Sequence, residues 1–145
     1  MPGKPIVSGI LGLIAVAVGI IGLMQNWAEY QVAHVYVDGI VGIDILSAPL
    51  DHGNAGWGSV LILIGLIGAV PTAVYCFMKE GDTARVIFFL TFFAALLGVM
   101  AAMDEIGNMP YYRGTGTVVG IGLWMEMLAS ILLFMAILVP DGIRR

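Results

Sequence analysis

Residues 6–24 read IVSGILGLIAVAVGIIGLM, an uncharged run of the length that decides the fold. A helix needs about 20 such residues to cross the roughly 30 Å hydrocarbon core of a bilayer. Three more runs of this kind follow, at about 57–78, 86–103 and 118–139. The third is the shortest, and Pro140 stops the fourth. Lipid offers no partner to a bare N–H or C=O, so each run is expected to be a helix. The expected fold is an all-α membrane protein, a single domain over residues 1–145 built as a left-handed four-helix bundle.

Composition agrees with a lipid solvent. Hydrophobic residues make up 60% of the chain and charged ones 11%, with a mean hydropathy of +1.00. A soluble domain carries about 25% charged residues, and one this small keeps too much surface to hide such a load of apolar groups. The net charge of −4 excludes a basic nucleic-acid surface. The lone Cys76 has no partner for an intrachain disulfide, and no Cys/His metal spacing occurs. The first run ends at Met24-Gln25-Asn26-Trp27 rather than at a small-residue cleavage site, so it reads as a retained span.

Basic residues set the expected orientation. Lys4 precedes the first span, Lys79 and Arg85 lie between the second and third, and Arg144 and Arg145 follow the fourth. The positive-inside rule makes that side cytoplasmic, with both termini on it and only Arg113 outside. In a plasma membrane Trp27, Trp57 and Trp124 would then form an outer aromatic belt, reinforced by Tyr30, Tyr111 and Tyr112.

The outer connections carry structure of their own. Residues 25–56 are too long for a plain loop. Strand-forming residues at 31–37 and 40–46 flank Asp38-Gly39, which predicts a β-hairpin turning at that dipeptide. The second outer loop, 104–117, is expected to add one short strand, giving a small antiparallel sheet over the outer mouth of the bundle.

Small residues recur along every span. Ser8, Gly12, Ala15, Gly19 and Gly22 follow a 3.5-residue repeat on the first, and Gly58, Gly65, Gly68/Ala69 and Thr72 mark the second. Thr91, Ala94/Ala95, Gly98 and Ala101/Ala102 mark the third, and Gly122, Ala129 and Ala136 the fourth. Thin faces of this kind let helix backbones approach closely in lipid, and the 3.5 repeat is that of a left-handed bundle. Pro71 is expected to kink the second helix.

One ionisable residue lies well inside a span. Glu126 falls roughly 12 Å below residue 118 at about 1.5 Å per residue, on the stripe of Gly122, Ala129 and Ala136. An ionised carboxylate near the bilayer centre costs roughly 2.5–3.5 kcal/mol on insertion scales. The acid is protonated, or pairs with Arg113, or meets a polar group on another subunit or a ligand; a structural hydrogen bond is the plainer reading. On the outer face His34, Asp38, Asp44, Asp51 and His52 offer a divalent cation its ligands, although the spacing does not match a calcium loop. Solvated loop carboxylates are the simpler account. No nucleophile–base pair and no cofactor motif occurs, so neither catalysis nor a cofactor is expected.

The layout resembles the claudin-like tetraspan proteins, with four spans, cytoplasmic ends, a long first outer loop with strands and a shorter second one. That resemblance implies sealing, scaffolding or auxiliary-subunit roles without enzymatic activity. The family's first-loop signature is a Trp, then Gly-Leu-Trp, then two cysteines. Here Trp27 opens the loop, but Gly122-Leu123-Trp124 heads the fourth span and the cysteine pair is absent. The expectation is a non-catalytic assembly or accessory subunit, acting through its outer loops and small-residue helix faces in a homo-oligomer or larger membrane complex. The alternatives are a small oligomeric channel or transporter using Glu126, and metal capture at the outer face.

Overall fold

The computed structural model describes residues 3–32, 35–107 and 115–139. Four helices in it are long and apolar enough to span a membrane: α1 (Ile6–Leu23), α3 (Gly53–Met78), α4 (Thr83–Gly107) and α5 (Ile121–Leu138). Between α1 and α3 come strands β1 (Asn26–Val32) and β2 (Val35–Val41), the short helix α2 (Gly42–Ser47) and a 3-10 turn, Pro49–Asp51. Strand β3 (Thr115–Val119) leads into α5. The most extensive helix pairs are α3 with α4 and α1 with α5, and α1–α3 and α4–α5 contacts close the ring.

Local chemistry accounts for helix ends that differ from the sequence reading. Helix α3 starts at Gly53, ahead of Trp57, because Glu105 Oε1 accepts the Asn54 N–H at 2.9 Å. A carboxylate there complements the positive end of the helix dipole. Gly53 adopts φ +57, and a Cβ on it would collide with that same carboxylate. Helix α4, expected to be the shortest span, has 25 residues against 18 for α1 and for α5. Charged residues at both ends of α4 sit on helical turns that extend past the apolar run. Helix α5 starts at Ile121 rather than at Val118, since Val118 and Val119 belong to β3. Helix α3 continues through Pro71, next to which Thr72 Oγ1 donates to the Gly68 carbonyl at 2.7 Å.

The sheet is three-stranded and antiparallel, in the order β2-β1-β3. Its hairpin is displaced from the expected one. Asp38 and Gly39 lie inside β2, opposite Tyr30 and Glu29, and residues 42–47 are helical rather than a second strand. The cause is Trp27, which begins the strand almost as soon as α1 ends. Its indole is fully buried and donates Nε1–H to the Gly22 carbonyl at 3.0 Å. Gly42 lies flat against that indole where a Cβ would collide, and its N–H bonds to the Gln25 carbonyl at 3.1 Å. These ties draw β1 towards the bundle and fix the end of β2. Asp38 Oδ1 takes the Gly39 N–H at 2.8 Å, a local satisfaction that needs no chain reversal. Trp27 is therefore a core residue and not part of an aromatic belt, while Trp57 and Trp124 are exposed.

Packing follows the small residues. Ser8, Gly12, Ala15, Gly19 and Gly22 of α1 are all buried, as are Gly65, Ala69 and Thr72 of α3. Gly12 faces the Phe88 ring of α4, where a Cβ would lie 2.6 Å from Cζ. Gly58 and Gly98 meet backbone to backbone, so that a Cβ on either would strike the other's carbonyl oxygen. The outward faces carry Ile64, Ile67, Leu90, Phe93, Leu128 and Ile131, all exposed in the isolated chain and suited to lipid.

The glycine contact yields a test. Gly98→Val forces α3 and α4 apart and is expected to destabilise by about 1–3 kcal/mol, the usual scale for overpacking. Leu97→Val, one residue along on the exposed face, is expected to stay within about 1 kcal/mol, since lipid rather than protein surrounds it. Thermal unfolding in one detergent compares the two. Equal losses would refute the packing account.

Candidate functional site

Glu126 sits in the second turn of α5, on the buried face shared with Gly122, Ala129 and Ser130. The later start of α5 makes it shallower than the count from residue 118 implied. Helix α1 meets it at Gly19 and Gly22. A Cβ on Gly19 would stand 3.1 Å from Glu126 Oε1, and one on Gly22 would stand 2.9 Å from Oε2. Leu66 of α3 reaches the same notch, since its Cδ atoms would lie 2.6 Å from a Gly19 Cβ.

The carboxyl group is wholly enclosed, with an exposure of 0%, and neither oxygen has a hydrogen-bond partner among the described residues. The hydroxyl one turn along α5 is already committed, since Ser130 Oγ donates to the Glu126 backbone carbonyl at 3.1 Å. The end of α1 adds further acceptors. A Cβ on Gly122 would lie 2.5, 2.7 and 2.9 Å from the carbonyl oxygens of Gly22, Gln25 and Asn26. Carbonyls thus crowd the turn of α5 that precedes Glu126. The glycine stripe announced this notch in the sequence, but the part played by Trp27 in tying Gly22 to the sheet had no signal there.

The remaining candidates are dispersed or lie elsewhere. Arg113 and His34 lie outside the described residues. Asp38 is in β2, Asp44 opens α2, Asp51 ends the 3-10 turn and His52 precedes α3. No group of three or more His, Cys, Asp or Glu among the described residues is placed to hold a metal ion. At the opposite end of the bundle Arg85 pairs with Asp82 at 2.7 Å and donates to the Val139 carbonyl at 2.6 Å, fastening α4 to the end of α5. A cleft of about 230 Å³ between α4 and α5 is lined by Phe92, Leu96, Met127, Ser130, Ile131 and Phe134. Its one polar group, Ser130, is bonded within its own helix, so the cleft suits a hydrocarbon chain better than a solute.

No protein-family model, curated protein or solved structure matches this chain. What stands is the class that the structure defines, a four-helix multi-pass membrane protein with a small three-stranded sheet at one end of its bundle.

The notch is testable through its wall. Gly22→Ala sets a methyl group against both the Glu126 carboxyl and the Gly122 carbonyl, and is expected to cost about 1–3 kcal/mol. Trp27→Phe removes the indole hydrogen bond while keeping an aromatic ring, and is expected to cost about 1 kcal/mol. Denaturation in detergent micelles measures both, and wild-type stability in the Gly22 variant would rule out the contact.

Proposed function

We propose that this chain is a non-catalytic subunit of a plasma-membrane assembly, in which the sheet-bearing end makes contacts outside the cell. The observation that carries this reading is where the small-residue faces are spent. They are buried inside one chain, which leaves the sheet end as the structured surface that extends beyond the lipid-facing helices. Strands β2 and β3 are the edges of that sheet, and an edge presents unpaired backbone N–H and C=O groups to another chain. A partner strand added along β2 would use the same chemistry as β1. The partner is a second copy or another membrane protein.

The basic residues support cytoplasmic termini, because Lys4, Lys79 and Arg85 all lie at the end of the bundle away from the sheet. The 3.5 repeat of α1 supports a left-handed twist. The layout resembles that of the claudin-like tetraspans, whose scaffolding and auxiliary roles fit this proposal. A channel built on a ring of Glu126 around a shared axis has less behind it. Such a ring needs the carboxylate on an outward face, and here it lies between α1 and α5 of one chain. A solute path also needs several polar residues facing a cavity.

Extraction in a mild detergent followed by intact-mass measurement is the direct test. The expected product is a complex heavier than one chain, and Ile40→Pro in β2 is expected to reduce it without unfolding the bundle. A stable monomer with nothing bound would refute the assembly role. Orientation has its own check. Reporter tags on the two termini are expected to read out from the cytoplasm, and moving Lys79 and Arg85 to the sheet side is expected to weaken that preference. Tags reporting from opposite compartments would refute the topology.

A further inference from the structure

The seam between α1 and α5 holds a buried acid, a helix end and a set of carbonyl oxygens; the Trp27 indole N–H is spent on the Gly22 carbonyl, and no described side chain donates to the acid. Both oxygens of Glu126 are enclosed and unpartnered. They rest against Gly19 and Gly22, in the last turns of α1. That helix end bears the negative pole of the macrodipole. It has no basic residue in its last turn, and the backbone N–H groups of Met24 and Gln25 and the indole N–H of Trp27 close it. One turn earlier on α5 the carbonyls of Gly22, Gln25 and Asn26 surround Gly122. Apart from the Trp27 indole N–H, already bonded to the Gly22 carbonyl, the polar groups placed around this notch are acceptors or a negative pole. An anion is disfavoured there, and a cation is favoured.

The packing also limits which cation fits. Gly19 and Gly22 bring the α1 backbone so near the carboxyl that even a methyl group on either would crowd it. A metal ion would have to push α1 and α5 apart to gain a coordination shell. A proton needs no volume and turns the buried ion into a neutral group, whose burial costs far less.

We propose that Glu126 is a proton-binding site that latches α1 to α5. The carboxyl is neutral while the seam is closed as in this structure, and it gives up its proton only when the seam opens and water reaches it. The proton leaves to water and returns from it, so no other reactant is involved. Other titratable groups stand apart on every packed element. Described residues of α1 have none, and α5 has only Glu126 itself. On α3 Tyr75 and Cys76 lie towards the far end, and on α4 Arg85 is at the far end while Asp104 and Glu105 are at the sheet end. Glu105 is engaged with the start of α3. Strand β1 carries Glu29, which takes the Asn26 side-chain amide at 3.3 Å, and Tyr30. This inference does not depend on the assembly role, because it concerns a contact inside one chain.

The test is infrared spectroscopy of the full chain in phospholipid vesicles, with Glu126→Gln as the reference. The expected spectrum at neutral pH contains the carbonyl band of one protonated carboxyl per chain, absent from the variant. Raising the pH is expected to remove the band reversibly, together with faster amide exchange in α1 around Gly19 and Gly22. Should the variant fail to fold, isotope labelling of glutamate identifies the band in the wild-type protein. Absence of the band at neutral pH overturns the proposal, because the acid is then ionised and paired, with Arg113 the first suspect. A band that survives high pH with unchanged exchange overturns it in favour of a fixed structural acid. Loss of the band on adding sodium at constant pH overturns it in favour of a metal cation.

Discussion

Inside a hydrocarbon layer the aqueous drive to bury apolar side chains is gone, so helices hold together by how closely their backbones approach. That constraint governs this molecule. Gly58 against Gly98 joins α3 to α4, and Gly22 against Gly122 joins α1 to α5. Each contact brings main-chain atoms to a distance that a single methyl group would forbid. Many large residues, Ile64, Leu90 and Leu128 among them, are turned outward here, where they suit lipid tails as apolar as themselves.

The sheet extends the same logic to the water-facing end. Its central strand β1 follows α1 after only a short turn, and β3 runs directly into α5 through Gly120, whose N–H bonds to the Trp27 carbonyl at 2.8 Å. Strand pairing therefore continues the α1–α5 contact past the helix ends. Trp27 belongs to both layers, since its ring is buried beneath the sheet and its indole N–H satisfies a carbonyl at the end of α1. At the opposite end the Arg85 bond to the Val139 carbonyl does comparable service between α4 and α5.

Much of this was legible in the residues. Apolar runs of spanning length identify the four helices because hydrocarbon thickness sets their scale, and the repeat of Ser8, Gly12, Ala15, Gly19 and Gly22 marks a face now seen buried. The sheet was readable as a kind of structure but not in its register. Asp38-Gly39 carries every local mark of a turn, yet the fit of Trp27 beneath Gly42 placed the strands elsewhere. Helix ends failed for a similar reason. Glu105 caps α3 from 51 residues away, and no local pattern announces such a partner. Glu126 stood out as the one carboxylate within a span, but its neighbours depended on where α5 begins, which β3 decides.

The pairing of α1 with α5 has a consequence for how the chain is made. Of these four spans α1 is made before α5, so the face bearing Gly19 and Gly22 has no α5 to meet until the two spans between them have been synthesised. During that interval α1 stands in the bilayer with its grooved side towards lipid or towards whatever insertion machinery shelters it. Closure of these four helices thus waits for α5, and it is the same movement that encloses Glu126.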